Sequence, residues 1–477
     1  MVLRCRDNHV MTHAMTIAGR PVAGAPGTGI GVEDPALGTV FAHGPECTDA
    51  QLESAVAAAA QAQSRWAATS QANRREVLLA CGAALADGID RVAELLTREQ
   101  GKTLAAATAE VRLAADWFGW TAELGLTSET FAEDAQSSVS MERVPHGVVA
   151  AIAPNNFPII LSVTKLAPAL LAGNSVVLKP SPITPLSTLL MGELLRDAVP
   201  AGVLNVISGA GDLGPKLSTH PGVRMVSFTG SVGAGRAIAR SAAEDFKRVV
   251  LELGGNDAAV VLPDADIAAI APQLFGAAMV NSGQFCAAIK RIYVSRHQRA
   301  ELVDALAELA RAQVVGNGLD PATDLGPVVS RDQLAWVTGL VAAAGAAGAR
   351  VIAGGKPTGP GYFHAPSIVT DLPAGTRLEL DEQFGPVLPV IDYDSVDEAV
   401  ARANGTEFGL GGSVWGEESE ARKVAALLDC GTSWVNTHGA LRSDAPFGGF
   451  KSSGLGVEYG HYGLLEYTQL KVLNIAR

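Results

Sequence analysis

GVVAAIAPNNFPIILSVTKLAPALLAGNSVVLKP, residues 147–180, carries one strand–helix–strand unit. Residues 147–153 are small and β-branched apolar side chains, suited to a strand buried on both faces. Turn residues follow at 154–158, residues 163–171 read as helix, and 175–178 are a second short buried strand. The pattern continues with a helix over 185–197, strands over 203–207 and 223–228, a helix over 234–244 and a strand over 249–253. Strands spaced by helices predict a parallel, doubly wound α/β sheet. After Gly254-Gly255 the alternation restarts, with helices at 266–279, 298–313, 395–403 and 418–428 and strands near 351, 366–369 and 387–391, so a second α/β domain is expected. With 477 residues, more than one core is required, because a single core rarely grows past about 250–300 residues.

Upstream, residues 48–67, 73–85 and 89–99 read as helices, the first opened by a Thr48/Gln51 capping box and the others ended by Gly88 and Gly101. Residues 125–142 are polar and lack a helical period, as in a projecting hairpin or linker. The end, 464–475, alternates in part and is expected to pair with it. Residues 1–15 are expected to be loosely ordered, with Met1, Met11 and Met15 as candidate starts.

Composition excludes several classes of function. A net charge of −13 disfavours nucleic acid and anionic membranes as partners. The most apolar stretch, 147–178, is broken by Asn155, Asn156, Pro158, Lys165, Pro168 and Asn174, and so does not read as a membrane span. The basic N-terminus has no apolar region of the secretory type. Five scattered cysteines without a CxxC indicate neither a disulfide framework nor a metal site, and point to a reducing, cytoplasmic setting.

Three residues could carry chemistry. Cys286 follows Ser282-Gly283-Gln284-Phe285 and precedes two alanines, an approach that leaves its thiol reachable. A thiolate adds readily to a carbonyl carbon. Alone, such a cysteine reads first as a small buried hydrophobe, so its partners decide. Glu252 ends an apolar strand against two glycines. It is either a solvent-facing strand end or a buried carboxyl of raised pKa, suited to act as a general base on water. Asn155 and Asn156 stand between prolines, where an amide could hold a developing oxyanion, although turn chemistry also accounts for them. Two loops compete for a dinucleotide phosphate. GAGDLG at 209–214 fits the fingerprint, but its helix is short and no acidic residue ends a strand about twenty residues on. FTGSVGAG at 228–235 joins a strand to a full helix and is favoured.

In this order the motifs resemble the aldehyde dehydrogenase superfamily. They are FTGS at 228–231, ELGG at 252–255, GQFC at 283–286, EQFGP at 382–386 and PFGGFKSSGLG at 446–456, and the resemblance runs from residue 30 to the end. It implies aldehyde oxidation with a nicotinamide cofactor: Cys286 attacks to give a thiohemiacetal, Asn156 and the Cys286 N–H hold the oxyanion, and Glu252 activates the water that releases the acid from a thioester. Lys165 and Glu458 resemble a supporting proton relay. Lys179 and Glu382 resemble ribose contacts, Phe384 a nicotinamide neighbour and Ser231 a diphosphate contact, with Ile152, Pro154, Gly211, Gly230, Gly235 and Leu253 completing the cofactor site. By position, Asn155, Leu161, Thr164, Phe285, Leu441 and Arg442 would line the substrate pocket. Thr164 replaces a bulky aromatic of some relatives. Arg442 would either pair with an anionic tail or, more plainly, be structural.

The family fold implies a cofactor-binding domain over 1–124 and 146–254, a catalytic domain over 255–463, and an oligomerisation flap over 125–145 and 464–477 that predicts a homodimer or homotetramer. Asn155 stands where many members have Trp. Pro182 stands where many have a Glu that repels a 2′-phosphate, so NAD is expected with NADP left open. The rival readings are an enzyme passing the thioester to coenzyme A, a cofactor-free thiol hydrolase, and a non-catalytic member of the fold.

Overall fold

The structure is a computed structural model describing residues 13–477. Its first sheet has eight strands. Five are parallel, in the order Leu204–Val206, Ser175–Lys179, Val148–Ile152, Met225–Thr229 and Arg248–Glu252. Val148–Ile152 and Ser175–Lys179 are buried along their full length, which accounts for their unbroken apolar sequence. The expected all-parallel sheet is corrected at both edges. The hairpin Met15–Ile17/Arg20–Val22 closes one side antiparallel, and Gly454–Leu455 closes the other. Only Arg20–Val22 reaches its neighbour by a tight turn; Met15–Ile17 and Gly454–Leu455 come from distant parts of the chain, and these short antiparallel segments cap the edges. Met15 is fully buried there, so the expected loose order ends before it, and the rest of that expectation, residues 1–12, lies outside the described residues.

The second sheet has seven strands. Six run parallel, in the order Ser367–Thr370, Val387–Tyr393, Arg291–Ser295, Ala258–Val261, Gly411–Trp415 and Thr432–Val435, with Arg350–Ala353 antiparallel at one edge. Separate apolar clusters cover its two faces, one including Ile267–Met279 and Arg299–Ala312, the other Arg331–Ala346 and Glu418–Ala425. A third sheet joins distant segments: Ser137–Pro145 lies between Glu129–Glu133 and Thr468–Ala476, all antiparallel. The part of 464–475 that precedes Thr468 belongs to the helix Gly460–Glu466 and its turn.

Local chemistry fixes the N-terminal helices. Thr48 caps Asp49–Ala67 with both bonds of a capping box, and Gly101, at φ 97°, ends Ile89–Gln100. The long helix Leu104–Ala122 follows and packs against Pro158–Leu171.

Candidate functional site

In the first sheet, register sets the carboxyl ends of four parallel strands side by side. Lys179 pairs with Ile152, Ile152 with Phe228, and Thr229 with Glu252. Such ends are where open α/β sheets bind ligands. A cavity of about 970 Å³ lies over them. Ile152, Pro154, Lys179, Gly211, Gly230, Ser231, Leu253, Glu382 and Phe384 all border it. Both glycine loops therefore face one cleft, so the two candidates were complementary rather than exclusive.

Details of the cleft suit a dinucleotide. Ser231 caps the helix Val232–Glu244, its Oγ accepting from the Ala234 N–H at 3.3 Å, so a helix N-terminus with its free donors faces the cavity. Lys179 is buried, and burial lowers its ammonium to about 8, with Glu46 opposing. Its Nζ donates to Pro180 O at 3.0 Å. Glu382 Oε1 accepts from the Gly255 N–H at 3.1 Å, and a side chain at Gly254 would run into the same carboxylate, which explains the paired glycines after Glu252. Gly235, in the first turn of the helix Val232–Glu244, is not among the residues lining the cleft; it lets the helix pack on Leu253, where a Cβ would clash.

A second cavity, about 610 Å³, meets the first at Cys286 and Thr229, which border both. Its wall holds Glu252 and an apolar set that includes Trp117, Trp120, Phe157, Phe285, Phe447 and Tyr459. Trp117 meets Tyr459 edge-on at 4.8 Å, and Phe447 stacks on Tyr459 at 5.7 Å. Leu161, Phe285, Leu441 and Arg442 are there as expected from position. Two residues are not. Asn155 borders the first cavity, and Thr164 is buried behind the wall with its hydroxyl donating to Leu161 O at 3.3 Å. Arg442 is at the rim, but its guanidinium grips Asp444 through two bonds of 2.8 and 2.6 Å, the bidentate geometry that already satisfies its charge.

The Cys286 loop is held in strain. Asn281, Ser282 and Gly283 all have positive φ, at 50°, 55° and 75°. A side chain at Gly283 would strike the Gly385 carbonyl, so only glycine fits. The Gln284 side chain is fully buried, donating to Asn281 O at 3.0 Å and accepting from the Val329 N–H at 2.8 Å. Lys290, buried below, donates to Gly283 O at 3.0 Å and Phe285 O at 2.6 Å. Asn156 reaches the loop as well, its Nδ2 donating to Gln284 O at 3.1 Å.

Glu252 is 4% exposed and neither carboxylate oxygen has a partner. Burial, then the Glu458 charge, pushes its carboxyl well above the usual range, while Lys165 opposes. Lys165 Nζ bridges Thr229 Oγ1 at 2.6 Å and Glu458 Oε1 at 2.5 Å in a fully buried pair. Burial also pushes the Cys286 thiol up, reinforced by Glu252 and Glu382 and opposed by Lys290. A nucleophile, an unpaired buried carboxyl and an amide thus converge where two cavities meet.

Residues 22–473 match the profile of the aldehyde dehydrogenase family. Betaine aldehyde dehydrogenase of Rhizobium etli is 37% identical over 470 residues, 96% of each chain. The crystal structure of an E. coli NADP dependent enzyme superposes with a TM-score of 0.95 at 35% identity, covering 99% of this chain and 100% of that one. An aldehyde dehydrogenase from Brucella melitensis biovar abortus 2308 gives 0.95 at 36% identity, covering 100% and 99%. With likeness of this degree along its whole length, the chain belongs to the aldehyde dehydrogenase family and oxidises an aldehyde to the carboxylic acid with NAD(P).

Proposed function

We propose that the enzyme acts on bulky, uncharged, mainly aromatic aldehydes through a covalent intermediate on Cys286. The observation that carries this reading is the position of Cys286 at the junction of the glycine-rimmed cleft and the aromatic funnel. Cys286 Sγ adds to the aldehyde carbon and forms the thiohemiacetal, its oxyanion held by the Asn156 amide and the Cys286 N–H. The hydride lost from that carbon would go to a nicotinamide held in the adjoining cleft. Glu252 then takes a proton from water, which attacks the resulting thioester; the Cys286–carbon bond breaks and the acid leaves. Lys165 and Glu458 pass that proton away from the base. Lys179 and Glu382 would hold the riboses of a bound dinucleotide, Phe384 would border its nicotinamide and the Ser231 loop would hold its diphosphate. The eight-stranded sheet is proposed as the cofactor domain and the seven-stranded one as the catalytic domain. A reducing cytoplasm is the proposed setting, because the thiol must stay free.

Cofactor preference follows from charge. Among the described residues Asp332 and Glu382 are the carboxylates that border the cleft, Glu46 lies behind the Gly209–Gly211 loop and acts on Lys179, and Pro182 adds no charge beside Lys179 and Ser181. The 2′-phosphate of NADP therefore meets no fixed negative charge at Pro182, and we propose that NADP is used as well as NAD. The NADP dependence of the E. coli structure is consistent with that.

One panel tests substrate and cofactor together: absorbance at 340 nm with aromatic, aliphatic and carboxylate-bearing aldehydes, each with NAD and NADP. Catalytic efficiency should rise with apolar size, by roughly fourfold per methylene buried. Arg442→Ala should leave KM for succinic semialdehyde unchanged, since Asp444 already occupies the guanidinium. Succinic semialdehyde as best substrate, with its KM raised in Arg442→Ala, would overturn the apolar reading.

The three-stranded sheet presents Phe131, Leu470, Val472 and Ile475 to solvent, an apolar edge that is a liability in a monomer. We propose that a second copy covers it in a homodimer or a dimer of dimers. Light scattering should return at least twice the chain mass, and a stable monomer at micromolar concentration refutes the proposal.

A further inference from the structure

The helix Pro158–Leu171 follows Asn156 directly, yet its N-cap, Phe157, makes no side-chain cap bond. Pro158 has no N–H, and the next two donors, Ile159 N and Ile160 N, both go to Glu110 Oε1 at 2.9 and 3.3 Å. A carboxylate from another helix, Leu104–Ala122, thus supplies the missing cap. Its other oxygen, Oε2, accepts from Lys102 Nζ at 2.5 Å, and that Nζ donates again, to the main-chain oxygen of Asn156 at 2.8 Å. The ammonium also lies 3.9 Å from the centroid of the Phe157 ring. Asn281, in the strained approach to Cys286, donates to the same Asn156 oxygen at 3.0 Å. Lys102 and Glu110 are 2% and 4% exposed. The two side chains therefore fix the backbone from the Asn156 carbonyl to the first turn of the helix that follows it, and neither borders the two cavities that meet at Cys286.

We infer that Lys102 and Glu110 are positioning residues for the reaction: their ion pair sets the Asn156 amide against the Cys286 loop, so that the oxyanion meets a donor already in place. This rests on the oxyanion role proposed for Asn156. A buried ion pair is a poor source of stability, because desolvation offsets much of its attraction, whereas fixing a donor to within a fraction of an ångström has direct kinetic value.

The experiment is a cycle through Asn156, with kcat and both KM values measured on the aldehyde the wild type oxidises fastest, and thermal melting alongside. Asn156→Ala should lower kcat by about 10²–10³-fold, the usual loss for an oxyanion donor. Lys102→Met should lower kcat by on the order of 10²-fold, as for a displaced catalytic group, with both KM values near wild type. In the Asn156→Ala background, Lys102→Met should add no further loss. Lys102→Met strands the Glu110 charge and could unfold the chain, so the neutral pair Lys102→Met/Glu110→Gln is measured too. It should melt near wild type and still show the kcat deficit. A wild-type kcat in that folded double variant, or a full extra loss on top of Asn156→Ala, overturns the inference and leaves a purely structural pair. If Asn156→Ala itself keeps wild-type kcat, the oxyanion assignment falls and takes the inference with it.

Discussion

Cys286→Ala should form no reduced cofactor with any aldehyde, a loss on the order of 10⁴-fold or more, since removing a nucleophile leaves only binding and oxyanion terms. Dinucleotide binding should be retained. Trp336 borders the cleft, its indole donating to Glu382 O at 3.2 Å, and reports occupancy by fluorescence. Alanine fills the thiol's place without adding volume, so the fold should be little affected. Cysteine alkylation makes the prediction specific. Cys47 and Cys81 are pushed up to about 12 and Cys430 to about 11, chiefly by burial, and none of the three borders either cavity that meets at Cys286. The Cys286 thiol is also pushed up, so iodoacetamide should label it slowly at neutral pH and faster as pH rises. Among the described cysteines, selectivity for Cys286 comes from access rather than acidity. Full turnover by Cys286→Ala would remove the covalent mechanism.

What could be read from sequence was local. Thr48 and Gln51 sit three apart at a helix start, and the structure has both of their cap bonds. The alternation over 147–253 was readable because buried parallel strands are uniformly apolar and the helices between them are not. Glu252, Cys286 and Asn156 were each ambiguous alone and became candidates only together, through the family resemblance; the structure adds that a side chain at Gly254 would meet Glu382 and one at Gly283 the Gly385 carbonyl. The edge strands were not readable, since two or three residues carry no period. The packing of Gly235 on Leu253 was not readable, because a packing glycine and a phosphate-loop glycine look alike in one dimension. The aromatic funnel was missed because Trp117 and Tyr459, in edge contact, are separated by most of the chain. The Trp117-Phe118-Gly119-Trp120 cluster was the available signal, and it gives no direction in which the rings point. Lys102 follows the helix-ending Gly101, where a basic residue is commonplace, and only the fold brings it to Asn156.

The second large effect is expected at Glu252. Glu252→Gln keeps the shape of the buried side chain and removes the base, and a positioned base is worth about 10²–10⁴-fold. If the base serves water attack on the thioester, the variant should release one equivalent of reduced cofactor per site in a rapid burst and then stall, with acid formation the lost step. A strong external nucleophile such as hydroxylamine should restore turnover. Coenzyme A restoring turnover to the variant, with acyl-coenzyme A rather than free acid as the wild-type product, would instead favour the acyl-transfer reading. The pH profile carries the sign. Burial and the Glu458 charge raise the Glu252 carboxyl well above the usual range, so at a given pH more of it is in the acid form, which cannot accept a proton, than for an ordinary glutamate. Wild-type turnover should therefore climb as pH rises through that raised value, and the limb should vanish in Glu252→Gln. Stability runs the other way. A carboxyl raised in the folded state is costless below the unfolded value and increasingly destabilising as pH rises from there to the folded one. Glu252→Gln should accordingly melt higher than wild type at neutral pH, and the gap should widen with pH. An unpaired carboxyl at 4% exposure is a burden on the fold, and the proposed role as a base gives that burden a purpose. A Glu252→Gln enzyme that turns over at the wild-type rate and melts no higher would show that the carboxyl is neither base nor burden.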